Sequence, residues 1–380
     1  MKYVKPLSEG QSRLLEALTS EDYEVVAVFG PTGTGKSLIT VLYGLESLED
    51  GRYRRFIISR PVVDVVTGKE LSSAELGAKY VELASSYLED LLSGFVEWSK
   101  VKALMDEGRL TFADPHYMRG RTFDDSLIFI DDAQSIPPES AIEVMTRLGR
   151  NSKLVVAGDP VFQRGMERNG AIVLREVLLG EERARVVDLG LKDIARPGAR
   201  RGVRLLIEMR MRDRLLNSNE AAIAEAVRSR APDADLITVV DLTADKKSYN
   251  ITSEHTPDAL LVAKEGHLGR IIGRGGERIN EVEKEVGLKL RGVEFTLDLR
   301  EIVRAIHPVS WISKHVVDAD FAGPQVAVKV SKDNFGAFLG QRGAYVRFLD
   351  SAFRRLMGVG VRAEPYEEEK PKEKRKAKKK

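Results

Sequence analysis

The sequence predicts an α/β domain followed by two smaller α+β domains, and three observations carry this. An apolar run, Val25 to Phe29, leads through a glycine-rich turn into a helix. A second apolar run, Leu127 to Ile130, ends in the acidic pair Asp131-Asp132. A helix–turn–helix segment with the pattern G-x-x-G occurs twice, 67 positions apart. A chain of 380 residues holds two or three domains, and 43% hydrophobic content is enough for proper cores.

The glycine-rich turn is Gly30-Pro31-Thr32-Gly33-Thr34-Gly35-Lys36-Ser37, which matches G-x-x-x-x-G-K-S/T at every fixed position, and Leu38 continues into the helix. Strand, turn and helix start in that order mark a nucleoside triphosphate site, and a chance glycine-rich turn is the weaker alternative. Backbone N–H groups of the turn and the helix N-terminus cradle phosphates. Lys36 then reaches the terminal phosphates, and the Ser37 hydroxyl ligates Mg²⁺. Upstream, Gln11 carries an amide able to read an adenine edge. A solvated glutamine at a helix start explains it equally well.

Further along, Phe56 to Ser59 is a strand ending in the basic turn Arg60-Pro61, residues 62–109 read as mostly helical, and Leu110 to Phe112 is a short strand. The run ending in Asp131-Asp132 has the Walker B form: Asp131 serves the metal shell and Asp132 polarises the attacking water. Helix capping is the ordinary alternative for such acids. Lys153 to Ala157 is another buried strand, followed by Gly158-Asp159 and Gln163; Asp159 and Gln163 are placed to sense a γ-phosphate. Arg185 to Leu189 reads as a further strand, and Arg196, in Asp193-Ile194-Ala195-Arg196-Pro197, is placed to reach a nucleotide.

Taken together, GPTGTGKS, ISRPVVDV, MRGRTF, FIDDAQ, SKLVVAGDPVFQ and DIARP resemble the PhoH-like ATPases, over roughly residues 5–215. The resemblance implies a RecA-like P-loop NTPase fold for residues 1–215, with ATP and Mg²⁺ as cofactors. Two departures stand out. The family usually has Asp-Glu where this chain has Asp131-Asp132, and its glycine- and proline-rich stretch is reduced here to Thr67-Gly68-Lys69-Glu70-Leu71. A single P-loop with no second RecA-like lobe implies a homo-oligomer, possible as a hexameric ring, in which an arginine completes the neighbouring site. Arg196 is the first candidate, with Arg119 and Arg121 behind it.

The repeated turns are Gly273-Arg274-Gly275-Gly276 and Gly340-Gln341-Arg342-Gly343. Two helices meeting at a turn tight enough to need glycine expose amides that clamp the phosphates of a single strand. Strands expected at Leu236 to Val240, Tyr249 to Thr252 and Leu260 to Ala263 precede the first turn. A helix at Leu299 to Ile306 and strands at His315 to Ala319 and Val326 to Val330 precede the second. The order resembles bacterial-type KH domains, as in the NusA tandem, and implies KH domains at 216–296 and 297–366 that bind single-stranded RNA, with DNA left open.

Residues 367–380 read as a disordered basic tail. From Lys370 it holds eight Lys or Arg against Glu373, a net of +7, so the rest of the chain carries −5 of the overall +2. Nucleic-acid contacts in the body must therefore come from local patches. The absence of cysteine excludes disulfides and Cys-ligated metals. With no membrane-length apolar stretch, the expectation is a cytoplasmic protein. The combined expectation is an ATP-hydrolysing RNA helicase or remodelling ATPase. The alternatives are an RNA-binding adaptor with a slow nucleotide switch and, more remotely, a phosphotransferase.

Overall fold

The computed structural model describes residues 2–3, 5–63, 70–71, 73–114, 122–163 and 169–367. Residues 118–121 of the MRGRTF block, with Arg119 and Arg121, the segment 67–69 and the tail beyond 367 lie outside the described residues. The chain divides into two compact units, Met1–Leu206 with Phe321–Pro324, and Ile207–Asp320 with Gln325–Lys380.

The first unit is built on six strands: β1 (Val25–Phe29), β2 (Arg55–Ser59), β3 (Leu110–Phe112), β4 (Ser126–Ile130), β5 (Lys153–Gly158) and β6 (Ala184–Asp188). They lie in the order β3-β2-β4-β5-β1-β6, all parallel. Parallel strands covered on both faces read as unbroken apolar runs, and β1, β4 and β5 are buried along their whole length. Alternation along β1 sends Val26 and Val28 into the core that packs on α1 (Glu9–Thr19) and α2 (Lys36–Glu49), while Val25, Ala27 and Phe29 enter the core beneath Ala141, Leu174 and Leu178. Residues 62–109 are mostly helical, as expected, with a short strand pair at their start. Val62–Val63 pairs antiparallel with Glu70–Leu71, since β-branched valines favour the extended state, and helices Ala78–Leu92 and Trp98–Asp106 follow.

The second unit contains the same order twice. Helix Ser218–Arg230, strands Leu236–Asp241 and Ala259–Lys264, helices Leu268–Ile272 and Glu277–Val286 and strand Leu290–Phe295 form the first copy. The expected strand at Tyr249 to Thr252 is absent: helix Thr243–Ser248 ends just before it with Tyr249 as its C-cap, and Asn250 turns the chain at φ 53°. Asn tolerates that left-handed region well. Helix Arg300–Ile306, strands Val316–Ala322 and Gln325–Ser331, helices Phe335–Leu339 and Ala344–Met357 and strand Gly360–Tyr366 form the second. Arg355 of the second copy pairs with Glu220 (2.6 Å) and Asp245 (2.9 Å) of the first, so the copies share one charge network.

His307 is buried against the Phe338 ring at a centroid distance of 4.7 Å; its Nε2–H donates to Phe338 O and its Nδ1 accepts from Val309 N. Burial pushes its pKa from 6.5 down to about 4, and the bond to Phe338 O, which favours the protonated ring, opposes the shift. The unfolded chain therefore takes up this proton at higher pH than the folded one. The His307 contribution is intact above about pH 6.5 and is lost as pH falls toward 4, by about 3 kcal/mol. Urea unfolding at pH 7 and pH 4.5 should show this loss in the wild type and a weaker one in His307→Asn. Equal losses in both would assign the acid sensitivity to other groups.

Candidate functional site

Four chain segments meet at the ends of the parallel strands, where α/β sheets place their ligands: the turn after β1, Arg60 after β2, Asp131-Asp132 after β4 and Asp159 after β5. Gly33 and Gly35 have φ of 83° and 88°, the left-handed region that a glycine enters at no cost. Gly30 is pressed so close to Leu189 that a Cβ would lie 2.5 Å from its carbonyl oxygen. Thr34 is buried and its hydroxyl donates to Pro31 O, while Thr32 and Leu38 are half-buried. The buried Lys36 ammonium donates to Gly30 O (2.7 Å) and Pro31 O (2.8 Å). Burial pushes its pKa below the usual lysine value, with Asp159, Asp131 and Asp132 opposing the shift. Gln11 is buried too: its Nε2 donates to Thr34 O and its Oε1 accepts from Leu7 N, so the amide braces the turn.

Ser37 Oγ donates to Asp131 Oδ1 at 2.9 Å, bringing together the hydroxyl and the carboxylate expected at a Mg²⁺ shell. Burial, then Asp132, raises the Asp131 pKa, with Arg60, Ser37 and Lys36 opposing. Arg60 bridges the acidic pair, Nη1 to Asp131 at 2.9 Å and Nη2 to Asp132 at 2.7 Å. Its guanidinium lies over the Tyr87 ring, 3.6 Å from the centroid, and Tyr87 Oη donates to Asp131. Burial works against the Arg60 charge, but the two aspartates outweigh it and hold its pKa above the ordinary value. Gln134 joins the remaining groups. Its Nε2 donates to Asp132 and to Gln163 Oε1 (2.5 Å), and its Oε1 accepts from Asp159 N (2.9 Å). Asp159 Oδ1 accepts from Val161 N and Phe162 N, whereas Asp159 Oδ2 is buried with no hydrogen-bond partner among the described residues.

The PhoH-like protein family matches residues 3–208, more than half of the chain. This chain belongs to the PhoH-like family. A KH domain matches residues 237–305, which indicates RNA binding. The PhoH-like protein of Bacillus subtilis (strain 168) is 30% identical over 198 residues, covering 51% of this chain and 61% of that protein. The one from Synechocystis sp. is 31% identical over 173 residues, covering 44% and 52%. The match thus spans less than two thirds of each relative. A solved structure, that of APE1850, covers 39% of this chain and all of its own at 24% identity, with a TM-score of 0.28, too low to carry an argument.

The PhoH-like fold is an α/β, P-loop NTPase-like domain, and such a domain implies use of a nucleotide and Mg²⁺. The residues fit that ion: the Ser37–Asp131 pair stands at the mouth of the turn and the unpartnered Asp159 oxygen lies beside the same site. Among the described residues no cluster of three or more His, Cys, Asp or Glu is arranged to hold a metal alone. Arg196 is exposed just before helix Pro197–Arg212, next to Ala195, whose N donates to Gly33 O. No described helix is long and apolar enough to cross a membrane.

In the second unit, Gly273, Gly275 and Gly276 of the matched KH domain have φ of 77°, 63° and 86°, and Arg274 is exposed. The second turn repeats the geometry with Gly340 at 70° and Gly343 at 73°, but Arg342 stands at 52° where the first copy has Gly275. An arginine held in that region is costly, and such strain concentrates at functional turns. Gln341 and Arg342 are exposed. Sequence reading had no access to Tyr87 or to the joining role of Gln134. The FIDDAQ string contains Gln134, while Tyr87 sits in helix Ala78–Leu92 with no motif around it.

Proposed function

We propose that this PhoH-like chain hydrolyses ATP and couples hydrolysis to single-stranded RNA, as a helicase or remodelling ATPase, with DNA as a weaker candidate strand. The supporting observation is the continuous network Ser37–Asp131–Arg60–Asp132–Gln134–Gln163/Asp159 at the strand ends, in a chain that also carries a KH domain. In this reading Gly30 to Leu38 and Gln11 form the nucleotide cradle, and Lys36 meets the terminal phosphates. Ser37 and Asp131 hold Mg²⁺, which when bound neutralises phosphate charge. Asp132 orients the attacking water. Gln134 carries the state of that site to Asp159 and Gln163. The proposed limits are 1–215 for the ATPase, 216–296 and 297–366 for two NusA-like KH domains, and 367–380 for the tail.

One observation favours the slow-switch alternative: Arg60 neutralises both aspartates, and Asp132 is available to water only once that pair loosens. RNA-stimulated turnover separates a motor from a switch. For completion of the site we propose a homo-oligomeric, hexameric ring with Arg196 reaching the neighbouring nucleotide. Mixing Arg196→Ala with Lys36→Ala chains should restore part of the lost activity, and a fully active monomer in sedimentation would exclude the ring.

Placing Asp at Arg274, Gly275, Gln341 and Arg342 should weaken RNA binding at least tenfold while leaving RNA-free turnover intact. Negative charge would then face the strand phosphates. Filter binding of a single-stranded oligonucleotide at two salt concentrations measures the effect. Unchanged affinity at both would make the turns structural.

A further inference from the structure

A cavity of about 450 Å³ opens where the strands of the large sheet begin, at the edge opposite the P-loop. It is lined by the segments that lead into β1, β2, β5 and β6, and it carries Arg52, Arg150, Lys153 and Arg183 against Glu21 and Glu24. Lys153, the first residue of β5, is only 5% exposed. Its Nζ donates to Leu18 O (2.8 Å) and Ser20 O (2.6 Å) at the end of α1, which accounts for two of its three donors. No carboxylate pairs with it among the described residues. Burial pushes its pKa down to about 8, with Arg52 adding to the shift and Glu21 opposing it. Beside it, Arg52 Nη1 donates to the hydroxyl of the buried Tyr43, and Tyr53 is buried next to that ring.

The rim is held in costly backbone. Asn151 and Arg183 line the cavity at φ of 50° and 58°, and Asp125, which accepts from Asn151 Nδ2, stands at 48°. Asparagine accepts this region readily and arginine does not. Strain of this kind persists where the surrounding structure enforces it, and it clusters at binding sites. Glu24 is already paired with Arg183 at 2.9 Å, which among the described lining residues leaves Lys153, Arg52 and Arg150 facing the cavity against Glu21 alone.

We propose that this cavity binds a small phosphorylated ligand of mononucleotide size, with its phosphate held by Lys153, Arg52 and Arg150. The volume lies in the range of small-molecule sites, roughly 300–1,000 Å³. Arginine forks and an ammonium are the donors suited to a phosphate. The tyrosine hydroxyls add neutral hydrogen-bonding groups around the charge. A five-residue strand at about 3.3 Å per residue separates this site from the P-loop by roughly 17 Å, so the two bind independently in space. The inference stands apart from the assignment of ATPase activity.

The test is calorimetric titration of the full chain with 5′-AMP and with inorganic phosphate, alongside titration of a fluorescent ATP analogue with Mg²⁺. We expect AMP to bind, and Arg150→Glu and Arg52→Ala to weaken it by about tenfold or more, the loss of one charged hydrogen bond. The ATP analogue should bind these variants with unchanged affinity. Lys36→Ala should weaken the ATP analogue and leave AMP binding intact. Arg150 is exposed, so its variant keeps the fold, and melting temperature checks this. Absence of AMP and phosphate binding would overturn the proposal. So would AMP binding that is lost in Lys36→Ala but kept in Arg150→Glu, or an RNA oligonucleotide being the only ligand that responds to Arg150→Glu.

Discussion

Lys36→Ala is expected to abolish nucleotide turnover. Lys36 is the only cation the motif itself supplies, and its ammonium is held inside the turn by Gly30 O and Pro31 O, where Asp159, Asp131 and Asp132 oppose the burial that lowers its pKa. Removing a preorganised charge of this kind costs on the order of a hundredfold to a thousandfold in rate. The Ser37–Asp131 pair survives the change, so weak nucleotide binding should remain. Phosphate release and fluorescent-nucleotide binding measured on the same preparation separate the two effects. Turnover at the wild-type rate would remove this turn from the mechanism.

Asp132→Asn should lower the hydrolysis rate by about a hundredfold, the usual scale of a lost general base. The substitution is clean for a structural reason. Asp132 stands at φ 53°, a region asparagine tolerates, so the backbone of the turn is retained. The amide keeps an oxygen for Gln134 but loses the charge that faces Arg60. Asp132→Glu, which restores the residue usual in the family, should keep or raise the rate. Normal turnover by Asp132→Asn would place water activation on another group.

The six strands of the large sheet were legible because each is an apolar run closed by a polar or glycine-rich turn, and Gly30 to Ser37 and Asp131-Asp132 fell at their ends as their spacing predicted. The repeated G-x-x-G turns were legible for the same reason: left-handed backbone needs glycine, and the need appears as a pattern. What was not legible is what long-range packing decides. Arg60 reads only as part of a basic turn, yet it lies across two aspartates 71 residues and more away. Gln11 reads as an adenine reader, yet its amide is spent on Thr34 O and Leu7 N. Tyr249 to Thr252 has the residues of a strand, but Asn250 closes a short helix there. The lower cavity gathers residues from five separate stretches, and no local motif announces it.

RNA binding at the KH domain is proposed to be coupled to the acidic pair that Arg60 holds. ATP turnover by the full chain, measured with and without a single-stranded RNA at fixed Mg²⁺ and salt, tests it directly. The account predicts a several-fold rise with RNA that disappears when Asp replaces Arg274, Gly275, Gln341 and Arg342. The same rate with and without RNA, in a protein that binds the RNA, would contradict it.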